Sequence, residues 1–402
     1  MARILVLCSR TPYPLTGGAK LRLFNTAKIL ATEHTVDLLI VDESPIKQYR
    51  IDTLSRVFND VTIFSYPSHR FHLNTVLGLV SRKPLQTFYY SFNAIDEWLD
   101  NHVGRYDLLY CNHVRTTEYA RRYETPKIVD FVDAISRNYA ESSTGASGLW
   151  RVIYPIESSR LLRYEREVVR DFDHSFIITE ADKQYIEGDN AGLPSFSVVP
   201  NGVRNEILEQ TPSETGEQDN NPDNRELLVF LGKMDYFPNE DAVTYFVNEI
   251  FPLVRRHHPE AEFVIVGTQP TKKVRQLAER PGVQVTGFVE DPFEYLTKAR
   301  VVVAPMRFSA GLQNKVLESM GLGKAVVTTS LGAEGIDIEE DEHLKIADTP
   351  ESFAEVIRTL LVRDGLRERL GTQARQRIEE TYSWSEIEPL LLDPIDAVLN
   401  QQ

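Results

Sequence analysis

Short, uninterrupted apolar runs recur along the whole chain, each separated from the next by a helix-length stretch. In the first half they are ILVLC (4–8), TVDLLIV (35–41), VTIF (61–64), LLYC (108–111), KIVDFV (127–132), SFIIT (175–179) and FSVV (196–199). In the second half they are LLVFL (227–231), EFVIVG (262–267), VQVTG (283–287), VVVAP (301–305) and KAVVTT (324–329). A strand that is apolar on both faces has to be covered on both faces, and the helix-length spacers supply the cover. The pattern calls for parallel sheets in α/β architecture. A chain of 402 residues exceeds one ordinary core, so two such domains are expected. Between the two series lies EQTPSETGEQDNNPDNRE (209–226), almost without apolar residues and rich in Pro, Asn, Asp and Glu, which reads as a linker. The expected division is a domain over 1–208, a linker over 209–225, a second domain over 226–383 and a terminal helix over 384–402.

The bulk numbers exclude several classes. Hydrophobic content of 42% with 26% charged residues fits a folded globular chain. A net charge of −15 argues against nucleic acid as the main partner, because phosphate binding needs clustered cations. No apolar run reaches the roughly 20 residues a membrane helix needs. The opening MARILVLCSR is broken by Arg10 and leads into a Pro/Gly loop, so it reads as a first strand and not as a signal peptide. Two cysteines, Cys8 and Cys111, sit beside strand-like runs, which points away from a disulfide framework or metal site and toward a reducing cytoplasm. The chain has no Walker A motif, no Gly-x-Gly-x-x-Gly and no Cys/His zinc spacing.

Two similar α/β domains joined by a linker are expected to form a cleft, and open parallel sheets bind ligands beyond the carboxyl ends of their strands. Three loops leave such ends carrying glycine or charge: SRTPYPLTGGAK, GKMDYFPNED and MRFSAGLQNK. In the third, Gly311 and Asn314 are expected where orphan N–H groups and the helix dipole favour an anion. Lys315 and Glu318, three apart, share one helix face, while Val316, Leu317 and Met320 turn to the core. One cation and one carboxylate there suit a diphosphate and a ribose, and the plain alternative is a surface ion pair. Gly232 and Lys233 read as a phosphate-facing turn or as an ordinary strand exit. Gly17 and Gly18 let a backbone approach a ligand at the start of a helix near Lys20, with Lys20 and Arg22 as secondary phosphate or acceptor contacts. Asp130 and Asp133 leave KIVDFV near its carboxyl end, where they orient an acceptor or cap the helix starting near Ala134. His113 is a rival acceptor-side group. Asn201 and Gly202 read as a structural turn.

With those residues in view, the chain resembles the GT-B glycosyltransferases of the retaining family-4 type. The resemblance rests on VVPNGV (198–203), FLGKMDYFPNEDAV (230–243), the run from VTGFVEDPF to GAEGI (285–336) and YSWSE (382–386). YPLTGGAKLR (13–22) and VDFVDAIS (129–136) match more loosely. The resemblance implies two Rossmann-like domains facing a cleft, with the segment after Trp384 crossing back to the first domain. It implies transfer of a sugar from a nucleoside-diphosphate donor to a glycan or lipid-linked hydroxyl with retention, in surface polysaccharide or glycoconjugate assembly, with no metal. The resemblance puts Lys233 where the family carries a basic residue and Gly332 and Glu334 of SLGAEGI in a loop near the donor, while position in the chain assigns Lys315 to the diphosphate, Glu318 to ribose and Asp133 to the acceptor side. Many members have two glutamates eight positions apart. Glu318 matches the second, but Ala310 stands at the first, which in the family contacts the donor's sugar. A GT-B epimerase acting on the sugar nucleotide, or a nucleotide-binding subunit without turnover, are the competing readings.

Two further segments carry charge. In IESSRLLRYEREVVRDF (156–172), Arg160, Arg163, Arg166 and Arg170 share one side of a helix opposite Leu161, Leu162, Val168, Val169 and Phe172. It reads as a core helix with a solvated basic face. The alternative is a surface meeting anionic lipid headgroups together with 69–83, apolar with basic flanks, which would make the cytoplasmic protein peripheral to the membrane. Asp171 and Asp173 form an Asp-x-Asp without a partner cluster and read as a solvated boundary.

Overall fold

The computed structural model describes residues 1–15, 17–79, 81–143, 148, 150–188, 195–210, 225–308 and 311–401. Most of the expected linker and Ala310 therefore lie outside the described residues.

Each of the twelve apolar runs forms a parallel strand. The first series gives β1 (Arg3–Cys8), β2 (Thr35–Asp42), β3 (Asp60–Ser65), β4 (Leu108–Asn112), β5 (Lys127–Asp130), β6 (His174–Ile177) and β7 (Phe196–Val198). They build one sheet in the order β3-β2-β1-β4-β5-β6-β7. The second series gives β8 (Leu227–Leu231), β9 (Glu262–Val266), β10 (Val283–Gly287), β11 (Val301–Ala304) and β12 (Val326–Thr328). A further two-residue strand, β13 (Lys345–Ile346), completes the order β10-β9-β8-β11-β12-β13. Burial explains why the runs were visible. Ile4, Leu5, Val6 and Leu7 of β1 are each 1% exposed or less, as central strands under helices on both faces must be. The edge strand β3 is only half-buried, and β13, at the other edge, has no apolar run to betray it.

The chain divides into two compact units, Met1–Asn201 with Ile387–Gln402, and Gly202–Glu386. The first crossing falls at Asn201–Gly202 and not at 208, because residues 202–208 are bound into the second unit. The Val203 N–H donates to Tyr382 O at 2.8 Å and Arg204 pairs with Glu318 at 3.1 Å. A Cβ on Gly321 would sit 3.1 Å from Ile207 and 3.3 Å from Val203. The last helix, Trp384–Leu399, starts in the second unit and ends in the first. No helix among the described residues is long and apolar enough to cross a membrane.

Candidate functional site

Both sheets reverse their winding once, between β8 and β11 in the second unit and between β1 and β4 in the first. Loops leaving the carboxyl ends of those neighbouring strands diverge, which opens a crevice at the switch point.

In the second unit the loop after β11 passes Met306 and reaches the helix Asn314–Gly321. Gly311 lies three residues ahead of that helix and not in its first turn. It takes φ 67°, a left-handed turn that favours glycine, and its carbonyl accepts from Gln313 Nε2 at 3.2 Å. The N-cap residue Gln313 makes no side-chain cap, and the first turn holds no acidic residue that would offset the positive end of the dipole.

The Lys315 side chain turns inward. Its Nζ donates to Asn239 Oδ1 at 2.5 Å, lies 3.7 Å from Met306 Sδ and sits 4.6 Å from the centre of the Phe230 ring. Among the described residues no carboxylate comes within ion-pair distance of it. Burial alone pushes its pKa down to about 7. Glu318 does not pair with it. The Glu318 carboxylate accepts from Arg204 Nε at 3.1 Å, and burial raises its pKa against the pull of Arg204. The surface pair between Lys315 and Glu318 is thus absent.

Asn239 is the residue that sequence reasoning missed. It lies in the first turn of the helix Phe237–Tyr245 and is 5% exposed. Its Nδ2 donates to the Lys233 carbonyl at 2.9 Å while Oδ1 accepts from Lys315. Lysine can only donate and a carbonyl can only accept, so this amide orientation is the one that satisfies both. Gly232 is bare because a Cβ would come 2.7 Å from Asn239 Nδ2. Gly267, also missed, is bare because a Cβ would fall 1.7 Å from the Gly232 carbonyl. The only advance signals were a polar residue behind Pro238 and a glycine ending an apolar run.

Lys233 contributes its carbonyl to this arrangement, whereas its ammonium is 60% exposed and pairs with Asp235 at 3.1 Å. Gly332 closes the other side. Its N–H donates to Thr329 Oγ1 at 3.0 Å, and the same hydroxyl donates to the Met306 carbonyl at 2.6 Å. A Cβ there would clash with Thr328 and crowd Met306. Glu334 is half-buried in the following turn. Gly232, Asn239, Met306, Lys315 and Gly332 are therefore knit together at the β8/β11 switch point.

The first unit treats its candidates differently. Gly17, at φ 103°, precedes the helix that Gly18 begins, again without a side-chain cap. Lys20 is half-buried, and burial lowers its pKa against the pull of Asp42. Arg22 and Asp130 do not face a ligand: both side chains are 0% exposed and bonded to each other at 2.6 Å. Arg22 also donates to the Val199 carbonyl at 2.7 Å, and Asp130 accepts from Tyr110 at 2.9 Å. Their role as phosphate and acceptor contacts is corrected to that of an internal strut. His113 follows β4 at φ 73°, and its buried Nδ1 has no hydrogen-bond partner among the described residues. Burial, with Arg115 and Arg10 nearby, pushes its pKa well below the ordinary value, so the ring is neutral. Asp133 follows a strained turn at Val132 (φ 68°), and among the described residues nothing donates a hydrogen bond to its carboxylate. Burial first and Asp182 second push its pKa up to about 7. His113 and Asp133 are uncommitted groups at that end of the sheet, and the buried Nδ2 of Asn112, the last residue of β4, also has no hydrogen-bond partner among the described residues.

Neither aspartate of the Asp-x-Asp is open to a metal, since Asp171 pairs with Arg121 and Asp173 accepts from the Lys127 N–H at 2.8 Å. Glu33, His34 and Asp396 come close enough to share an ion, but they lie at the amino end of β2, remote from the strands' carboxyl ends.

Comparison with known proteins adds to this geometry. Residues 225–363, which include the whole arrangement around Lys315, match the family described as glycosyl transferases group 1. An uncharacterized 44.6 kDa protein in the cps region of Klebsiella pneumoniae is 22% identical over 89% of this chain and 90% of its own. Sucrose-phosphate synthase from Thermosynechococcus elongatus superposes with a TM-score of 0.73 at 13% identity, over 100% of both chains. HepE from Anabaena, in complex with UDP and glucose, gives 0.70 at 15% identity over 99% of this chain and 100% of its own. The fold shared with both is GT-B, as the sequence resemblance implied.

Proposed function

We infer, for a GT-B chain that carries a glycosyl transferases group 1 domain, that it moves a sugar from a nucleoside diphosphate to a hydroxyl of a glycan or lipid-linked acceptor with retention. One observation carries the reading: an inward-turned ammonium with no carboxylate partner among the described residues, on the first turn of a helix at a switch point. Such a place lacks an anion, and a diphosphate supplies one. The UDP and glucose bound by HepE support the choice of donor, and the cps-region relative supports a role in polysaccharide assembly.

In this reading Lys315 and the positive end of its helix dipole hold the diphosphate, and Lys233 can leave Asp235 to join them. Glu318, steadied by Arg204, accepts from ribose hydroxyls, and the Gly332–Glu334 turn borders the donor. As the bond from the anomeric carbon to the diphosphate oxygen breaks, charge grows on that oxygen and Lys315 offsets it. The acceptor oxygen attacks from the same face, its proton passing to the departing phosphate. Asp133 and neutral His113 are assigned to orienting that hydroxyl, and no metal is required.

The test is Lys315→Met against the wild type. Thermal shifts with UDP, GDP, dTDP and ADP, with and without a divalent ion, identify the base through stabilisation of the bound form. Turnover of the matching sugar nucleotide with a panel of acceptors should fall by ~10²–10³ in the variant. Unchanged binding and turnover would remove the mechanism. Product from the donor alone would replace transfer by epimerisation, and binding without product across the panel would leave a nucleotide-binding subunit.

A further inference from the structure

Six of the thirteen large apolar side chains exposed among the described residues lie on two short stretches of the first unit. Leu73, Val76 and Leu79 are 57–64% exposed along one stripe of the helix Ser68–Gly78 and its cap, and Trp150, Val152 and Ile156 are 48–59% exposed in the first turns of the helix Trp150–Asp171. The two stretches are tied side by side. Arg160 donates to the Leu79 carbonyl at 3.3 Å, Arg163 to the Arg82 carbonyl at 3.1 Å, and the Leu85 N–H to Glu157 at 2.8 Å. Single exposed apolar residues need no explanation, but a grouped set rimmed by charge does.

The rim is basic. Residues 68–83 contain Arg70, Arg82 and Lys83 and no Asp or Glu, although Lys83 pairs with Glu118 at 2.5 Å, while 150–163 contain Arg151, Arg160 and Arg163 against Glu157 alone. Glu157 is 2% exposed and already bonded to Arg160 and Leu85. A chain of net charge −15 therefore concentrates positive charge around its apolar patch. In the lipid-facing alternative weighed from the sequence, the arginine face of 156–172 acts together with 69–83, and part of that face is already engaged. Arg160 and Arg163 spend their guanidinium groups on the neighbouring loop, and Arg166 donates to the Ile186 carbonyl.

We propose that the face formed by Leu73, Val76, Leu79, Trp150, Val152 and Ile156 docks on a bilayer bearing anionic headgroups. The apolar side chains enter the headgroup–acyl boundary, and Arg70, Arg82 and Arg151 meet the phosphates. Charge complementarity selects this occupant over a protein partner: the patch is positive on a negative chain, and aliphatic side chains with a tryptophan suit the interface of a bilayer. The proposal does not depend on sugar transfer, and its readout is binding.

The full chain should sediment with vesicles of phosphatidylcholine and phosphatidylglycerol at low ionic strength, and not with phosphatidylcholine alone. Trp98 is stacked on His102 and Trp384 is 6% exposed, so a blue shift of emission on binding belongs to Trp150 and should vanish in Trp150→Phe while binding persists. Leu73→Ser with Val76→Ser and Ile156→Ser should lower partitioning by about tenfold or more. Arg82→Gln with Arg151→Gln should do likewise, in both cases with an unchanged circular dichroism spectrum. Failure to bind anionic vesicles overturns the proposal. So does concentration-dependent self-association of the wild type that the serine variant abolishes, because a second copy would then cover the face.

Discussion

The two sheets share an order of strands, yet the charges at their switch points are handled in opposite ways. In the first unit Arg22 and Asp130 neutralise each other at 2.6 Å with no exposure, and Tyr110 and the Val199 carbonyl take up further bonding capacity. In the second, the half-buried Lys315 lies against an amide, a thioether and a ring, with no carboxylate within ion-pair distance among the described residues. A buried charge is tolerated when paired and costly when it is not. The first arrangement pairs its charges internally, although Arg22 Nη2 is left without a hydrogen-bond partner among the described residues. The second costs stability while empty, and in the proposed function an incoming diphosphate offsets that cost.

Removing each cation should separate the two cases most sharply. Arg22→Met strands Asp130 in the core and should cost about 3–5 kcal/mol of unfolding free energy, read by denaturant melts. Lys315→Met should cost nothing and stabilise the empty protein at low pH. The folded pKa of about 7 lies below the unfolded value near 10.4, so the charged form is penalised in the native state. The penalty is full below pH 7 and fades as pH rises toward 10.4. The gain in Lys315→Met should therefore be greatest below pH 7 and disappear in alkali. Equal losses in the two variants would mean that Lys315 is as structural as Arg22.

That contrast was only half legible in the sequence. Strands buried on both faces write themselves as apolar runs, so β1 and its neighbours were plain, while the two-residue edge strand Lys345–Ile346 wrote nothing. The spacing of Lys315 and Glu318 showed a shared helix face but not that Glu318 would turn to Arg204, more than a hundred residues earlier. Arg22 and Asp130 are likewise 108 residues apart, and each alone looked like a ligand contact. Nothing in GKMDYFPNED singled out Asn239, because which side of a first helical turn faces inward depends on the sheet it packs against. Pairings across distant elements are set by topology, and topology appears only once the strands are ordered.

Asn239 gives a smaller and finer test. Asn239→Ala deprives the ammonium of its one strong acceptor, and donor affinity should fall by roughly tenfold, the scale of one hydrogen bond to a charged group. Asn239→Asp should do worse than alanine although it is nearly isosteric. It supplies the carboxylate that the site lacks, restoring Lys315 to an ordinary lysine pKa while repelling the diphosphate, so the second switch point would come to resemble the first. Calorimetric titration with the nucleoside diphosphate ranks the three proteins. An aspartate variant that binds as well as the wild type would show that Lys315 is not reserved for an anion.

The least effect, and the most specific, is a proton. At pH 8 the empty protein holds Lys315 mostly neutral, because its pKa is about 7. A diphosphate beside it favours the charged form, so binding at pH 8 should draw up to about one proton from the buffer. At pH 6, where the lysine is already charged, that uptake should shrink. The measurement is the binding enthalpy in buffers of different ionisation enthalpy, whose slope counts protons. Affinity should weaken above pH 7 in step with the uptake, and Lys315→Met should abolish both. Arg22→Met, if it folds well enough to titrate, should leave the proton count unchanged, since a guanidinium already balanced by Asp130 has nothing to gain from a ligand in the other unit.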